Sequence, residues 1–330
     1  MGLKHRMKGR LRGLYARVLW ATGLHRLVDR LSRPRLLVLY GHCVDQPATN
    51  GALDADMKIS AGRLESILRA LGRTHDLVTL GEGLARLREG RGGRSMVALT
   101  MDDGYRANLH ALGWLVGRLG AEEAARRLAE RLGDAPGSPR GTADAGALKR
   151  QLTYDADPAA RDAALAALVA EEGGDPAEIV DALYLSHGEA RALAAAGPVE
   201  VGGHTAHHPV LSRLDAAGQR EEIGGGAALL RELFGEEAPG DGGAEPGSSG
   251  HVFAYPYGRR WDFDDGSAAA AREAGYACAV TTHAGVNHAD TDPYRLRRWP
   301  IHDGTALHEV GVEAAGGFEL LRRLGVDLVE

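Results

Sequence analysis

The chain has 330 residues, 44% hydrophobic and 25% charged, with a formal net charge of -6. This composition is that of a folded globular protein and excludes disorder throughout, and the acidic balance excludes a nucleic-acid binder by charge. At this length one α/β barrel is as plausible as two smaller domains.

The charge is uneven along the chain. Residues 1–35 hold ten Lys/Arg against Asp29, a net of +9 that leaves -15 for the remainder. Leu11, Leu14, Val18, Leu19 and Leu27 are interleaved with the basic residues. That pattern suits a helix lying on an anionic membrane surface and equally a helix packed on the flank of a domain. The apolar run at 18–24 is too short to span a bilayer and too weak for a signal peptide, so the sequence places the protein in the cytoplasm, at most peripheral on the inner face of the membrane. Cys43 and Cys278 read as two small buried residues rather than a disulfide.

Residues 36–40, Leu-Leu-Val-Leu-Tyr, predict a first strand that runs into Gly41 and His42. Ser60 caps a helix with Leu64, Ile67, Leu68 and Leu71 at i, i+3, i+4 and i+7. A short strand at 77–80 follows, and Thr79 with Glu82 forms a capping box that opens a helix through Leu87. Residues 96–101 predict a central strand ending in Asp102, Asp103 and Gly104. Two adjacent carboxylates leaving a strand end diverge in direction, so that one can bind a metal while the other faces a substrate.

Beyond them, residues 106–197 read as a largely helical insertion. Helices are predicted at 109–119, 122–132, 159–171, 176–185 and 186–196, with no strand among them. Residues 199–211 then give a short strand, a glycine pair and His204, His207 and His208. His204 and His208, four apart, fall on one side of a helical turn, as paired metal ligands require, and His207 points elsewhere. A helix from Ser212 or Asp215 through Phe234, a Gly/Pro/Ser-rich loop at 238–250, strands at 252–255 and 276–281 with a helix at 266–274 between them, a strand at 296–301 and a closing helix at 318–324 complete the pattern.

One carboxylate and two imidazoles, with positions left for water, make a catalytic rather than a structural metal site. Thr-Met-Asp-Asp-Gly-Tyr, then Gly-Gly-His-Thr-Ala-His-His-Pro, then Phe253-Ala-Tyr-Pro-Tyr-Gly258, in that order, resembles the polysaccharide deacetylases (carbohydrate esterase family four, the NodB-homology domain) from about Leu36 onward. The resemblance implies an α/β fold, a distorted (β/α) barrel over 36–330; the sequence shows no run for the strand that normally follows the first motif, so either the barrel is closed differently or one strand is missing. It also implies a metal-dependent hydrolase that removes an acetyl group from a carbohydrate or glycan precursor. Asp102 would be the base and Asp103, His204 and His208 the ligands of a divalent metal, zinc first. Tyr257 would supply a backbone N–H to the oxyanion, and His302, in Pro300-Ile-His302-Asp303, the acid for the leaving amine. His283 and His288 are rivals of His302. His42, Tyr255, Pro256 and Tyr257 would line the substrate site. The arginine that often stands two residues before the motif's proline is Ala254 here, which predicts an unneutralised Asp102. A hydrolase of another small amide or ester, and an inactive glycan-binding protein on the same fold, remain as alternatives.

Overall fold

The computed structural model describes residues 3–32, 34–44, 57–90, 93–103, 115–116, 118–133, 135, 138–139, 144–197, 199–235 and 251–329. Gly104, most of the helix expected at 109–119 and the stretch 238–250 lie outside them.

The central strand is β1 (Leu36–Gly41), in which Leu36, Leu37, Val38 and Leu39 are all fully buried. An unbroken apolar run is what a parallel strand covered on both faces requires. Its parallel neighbours are β5 (Met96–Met101), Leu36 opposite Met96 through Gly41 opposite Met101, and β8 (Trp299–Pro300). Outside β5 lies β4 (Asp76–Leu77). A second parallel pair, β6 (Val252–Ala254) and β7 (Cys278–Val280), is joined to these strands by a bridge from Val280 to Leu296 and extended by another from Gly203 to Phe253. The parallel order is thus β4, β5, β1, 296–300, β7, β6, Gly203. Among the described residues it does not close into a complete barrel. Short β2 (Cys43–Val44) and β3 (Lys58–Ile59) pair separately.

Helices cover the strands where local sequence starts them. Ser60 caps α3 (Ala61–Gly72) and Thr79 caps α4 (Leu80–Arg88). Because Thr79 is committed to that cap, the strand expected at 77–80 ends at Leu77. In α4, a Cβ at Gly83 would lie 2.8 Å from Leu36, so this glycine lets the helix settle on β1. Asp215 and Asp264 cap α10 (Ala216–Phe234) and α11 (Asp265–Glu273), which meet through the Ser267 hydroxyl donating to Gln219, 3.0 Å.

The insertion is helical wherever it is described: α5 (Ala121–Leu132), α6 (Ala145–Tyr154), α7 (Pro158–Glu171), α8 (Pro176–Leu183) and α9 (His187–Ala195). It has its own core of Leu115, Leu128, Leu148, Leu152, Leu165 and Leu168. The periodicity did not predict α6, whose inward face holds only Leu148 and Leu152; its start is set by the Asp144 cap.

Residues 3–31 form α1 (Leu3–Thr22) and α2 (Leu24–Leu31), joined at Gly23 with φ 74°. They rest on α12 (Leu307–Ala314) and α13 (Gly317–Arg323). Ala16 is fully buried, the Tyr15 hydroxyl donates to the Gly317 carbonyl at 2.9 Å, and Arg12 pairs with Glu309 at 3.0 Å. Packing on the flank is therefore real for this helix's inner face. Cys278 is buried as expected, while Cys43 is only partly so, at the start of a two-residue strand.

Candidate active site

The β1–β5 ladder carries the chain into the site. Asp102 donates its N–H to the Gly41 carbonyl at 2.9 Å, one step beyond the last strand pair, and Asp103 then turns out with φ 58°. The two carboxylates thereby separate as their position at a strand end requires. Both are nine-tenths buried.

Asp102 faces Arg298. Each of its oxygens accepts a guanidinium N–H at 2.6 Å, a bidentate pair in which the arginine is fully buried. Arg298 also donates to Thr100 Oγ1 at 3.1 Å and to the Thr281 carbonyl at 2.7 Å, and stacks over the Tyr40 ring at 4.4 Å. Elements from three directions hold it. Burial pushes the Asp102 carboxyl up, but the charge and hydrogen bonds of Arg298, aided by His204 and His42, outweigh burial and leave it below the usual carboxylate range. The expectation of an unneutralised Asp102 is therefore corrected: Ala254 lacks the charge, and Arg298 supplies it from 296–300. A signal for it existed. A charged residue within a central strand needs a buried partner, and Arg298 lies midway between Leu296 and Pro300 in a segment read as strand.

Asp103 faces the histidines. Its Oδ1 lies 3.0 Å from His204 Nε2 and 3.2 Å from His208 Nε2, and the two Nε2 atoms are 3.1 Å apart. The spacing of four is not realised by a helix. The strand expected at 199–201 reduces to the single bridge at Gly203, and Thr205 and His208 both have positive φ, 68° and 58°. The Thr205 hydroxyl accepts the His208 N–H at 2.9 Å and closes the turn. The glycine pair before it serves close approach: a Cβ at Gly202 would lie 2.5 Å from the Val252 carbonyl oxygen, and one at Gly203 2.0 Å from the Tyr276 hydroxyl. His207 turns outward, its Nδ1 2.9 Å from Glu222.

Three ligand atoms, from Asp103, His204 and His208, lie within 4.8 Å of one another. His204 Nδ1 is 2.7 Å from the Ala254 carbonyl, so Nδ1–H donates there and Nε2 turns its lone pair toward Asp103. Lone pairs converging on one point repel unless a cation lies between them, and a backbone carbonyl on the far ring nitrogen is the usual support of a ligating imidazole. Where a proton rather than a cation lies between Nε2 and Asp103, burial disfavours the charged His204, yet the hydrogen bond and charge of Asp103 outweigh it and raise its pKa. Burial likewise pushes Asp103 up, but the bonds from His204 and His208 take it well below the usual range. The residues fit a divalent ion.

Tyr257 completes the group. Its φ is 60°, its ring centroid lies 4.8 Å from that of His208, and the Thr282 hydroxyl donates to its carbonyl at 2.9 Å. Among the described residues no acceptor meets its N–H. Burial pushes its hydroxyl up to about 12. Asp103, Thr205, His208 and Tyr257 are the four non-glycine residues of positive φ among those described, and all four lie here. Such strain persists only where surrounding structure imposes it, and it gathers at functional sites.

The remaining sequence-derived residues divide. His42 Nε2 is 4.0 Å from Asp103 Oδ2, with its pKa lowered by burial against the pull of Asp103 and Asp102. His302 follows β8 at the same end of the sheet, half-buried, with Nδ1 accepting the Gly304 N–H at 3.2 Å. His288 is occupied elsewhere by Glu319 at 2.9 Å, and His283 lies against Phe263. Tyr255 is a correction. It is fully buried, stacked on Phe263 at 4.0 Å with its hydroxyl donating to the Tyr294 carbonyl, because alternation along β6 turns Phe253 and Tyr255 into the core. Pro256 is buried beside it. Tyr154, at the end of α6, went unread: its ring lies 5.9 Å from that of Tyr257, so the insertion reaches the site.

Residues 150–279 match the family model described as polysaccharide deacetylase. No curated protein matches the chain. Among solved structures it is similar to the Streptococcus pyogenes deacetylase PplD in complex with acetate, with TM-score 0.52 and 15% identity over 86% of this chain and 99% of that one. IcaB from Ammonifex degensii gives 0.48 and 20% over 86% and 97%, and the putative polysaccharide deacetylase BA0330 from Bacillus anthracis 0.49 and 16% over 85% and 69%. The likeness to the streptococcal protein is one of fold. The segment that holds His204, His208 and Tyr257 is thus the part of the chain that is similar to the polysaccharide deacetylase family.

Proposed function

We propose that this protein is a metal-dependent N-deacetylase of a glycan or glycan precursor, with Asp103, His204 and His208 as metal ligands and Asp102 as base. The observation that carries this reading is the division of labour between adjacent carboxylates, Asp102 on Arg298 and Asp103 on two imidazoles. A glycan binder has no use for a buried, ion-paired carboxylate beside a ligand set.

When bound, a divalent ion supplies Lewis acidity that polarises the acyl oxygen and makes water acidic enough to lose a proton near neutral pH. Zinc suits two imidazoles and one carboxylate. Asp102 accepts the proton of the attacking water, and Arg298 keeps that carboxylate ionised and fixes its plane. The Tyr257 N–H donates to the oxygen on which charge develops. His302, at the half-buried lip of the sheet, gives a proton to the leaving amine. His42 lies deeper and, lowered by burial, is neutral; it buttresses Asp103.

The test is acetate release from a panel of N- and O-acetylated sugars, with metal content measured on the same samples. Asp102→Asn should keep the metal and lose activity on the order of a hundredfold or more. His204→Ala should lose both. Wild-type protein that binds metal and sugar but releases no acetate at any pH would make the chain a binding protein on this fold.

A further inference from the structure

The N-terminal helices have two faces, and only one is used by the fold. On α1, Tyr15, Ala16, Leu19 and Trp20 turn inward. Tyr15 meets Phe318 with ring centroids 5.7 Å apart, Leu19 lies against Gly317, and Trp20 lies so close over Gly311 that a Cβ there would be 2.1 Å from its ring. Met7, Leu11, Leu14 and Val18 lie at i, i+4, i+7 and i+11, a stripe along one side of a helix with 3.6 residues per turn, and they are 50–61% exposed. On α2, Leu24, Leu27 and Leu31 are likewise exposed, at i, i+3 and i+7. Arg10, Arg17, Arg26 and Arg30 are exposed on the same two helices.

We infer that this outer face of α1 and α2 is a docking surface for an anionic lipid bilayer, on which the two helices lie flat. Seven large apolar side chains turned to water form a surface that a water-soluble fold has no reason to build. The charge selects the occupant. Arg10, Arg17, Arg26 and Arg30 are exposed on these helices, so a second copy set on this face by a twofold axis would bring like charges together, whereas anionic headgroups neutralise them. No helix of the described residues is long and apolar enough to cross a membrane, which fits a helix lying on one. The fixed inner face supplies the rest: the stripe is held in helical form before contact, so the surface does not have to fold on binding.

The experiment uses the full chain and sedimentation with vesicles of phosphatidylcholine alone or mixed with phosphatidylglycerol. Wild-type protein should partition to the mixed vesicles at least tenfold better than to the neutral ones, and less so as salt rises. The triple variant Leu11→Ser, Leu14→Ser, Val18→Ser should lose at least tenfold in partition with unchanged melting temperature, since these side chains support no core. Arg10→Glu with Arg17→Glu should abolish the preference for anionic vesicles. Wild-type protein left in the supernatant, or a triple variant that sediments like wild type, overturns the inference. So does a wild-type dimer that the triple variant makes monomeric, which would give the face to a second copy. Acetate release from a soluble sugar, measured on the same samples, reads the catalytic proposal separately.

Discussion

The two carboxylates of the site are neighbours in the chain, yet the regions that meet them are built by opposite means. The four-stranded region, β4, β5, β1 and β8, delivers Asp102 by regular strand geometry and satisfies it with Arg298, a pair complete within the protein. The β6–β7 region delivers the imidazoles through a bridge, a glycine pair and turns of positive φ, and leaves three ligand atoms converging. The first half has its electrostatics satisfied within the protein. The second is held in strained backbone, whose cost of about 1–3 kcal/mol per residue is the kind a bound cation offsets.

That contrast can be broken most severely at Arg298. Arg298→Met leaves Asp102 buried without its partner, which should cost about 3–5 kcal/mol in thermal or denaturant unfolding. Burial, no longer opposed by the guanidinium, raises the Asp102 pKa. Because the base must be ionised, the acidic limb of acetate release should move to higher pH, while metal content stays near wild type. Loss of metal in this variant would mean that the halves are not separable.

Gly203→Ala probes the other half. Its Cβ collides with the Tyr276 hydroxyl, an overpacking expected to cost about 1–3 kcal/mol. Here metal affinity should fall together with stability, since His204 follows directly. Retained affinity would show that the turn tolerates displacement and that its strain is not needed.

The smallest effect is expected at Tyr154, which tests whether the insertion belongs to the imidazole side. Tyr154→Ala removes a ring packed on Tyr257, a contact of about 0.5–1.5 kcal/mol, so KM should rise roughly threefold to tenfold with kcat little changed. An unchanged KM would make the insertion a bystander.

What the sequence disclosed follows the same division. Elements set by local chemistry were legible: β1 and β5 from their apolar runs, α3, α9 and α10 from the Ser60, Ser186 and Asp215 caps. The grouping of Asp103, His204 and His208 was legible as residues but not as geometry, because spacing alone cannot distinguish a helical turn from one closed by Thr205 with positive φ. Arg298 was legible as a charge in need of a buried partner, but not as the partner of Asp102 in particular. Their meeting depends on which strand lies beside β1, a property of topology. Tyr255 was misassigned because a motif gives identity, whereas alternation along β6 decides which side chain faces the core.

The placement of Arg298 also gives the site an order of assembly. A ribosome releases this chain from its N-terminus, so both carboxylates emerge first and wait through the whole insertion for His204 and His208. The three converging side chains are then present, but the arginine that keeps Asp102 charged lies 90 residues further on than His208. A product stopped within that interval has Asp103 and both imidazoles and still lacks the partner that keeps Asp102 ionised. The partner of Asp102 is thus made well after both carboxylates and both imidazoles, when the strands that cradle Arg298 already exist to receive it.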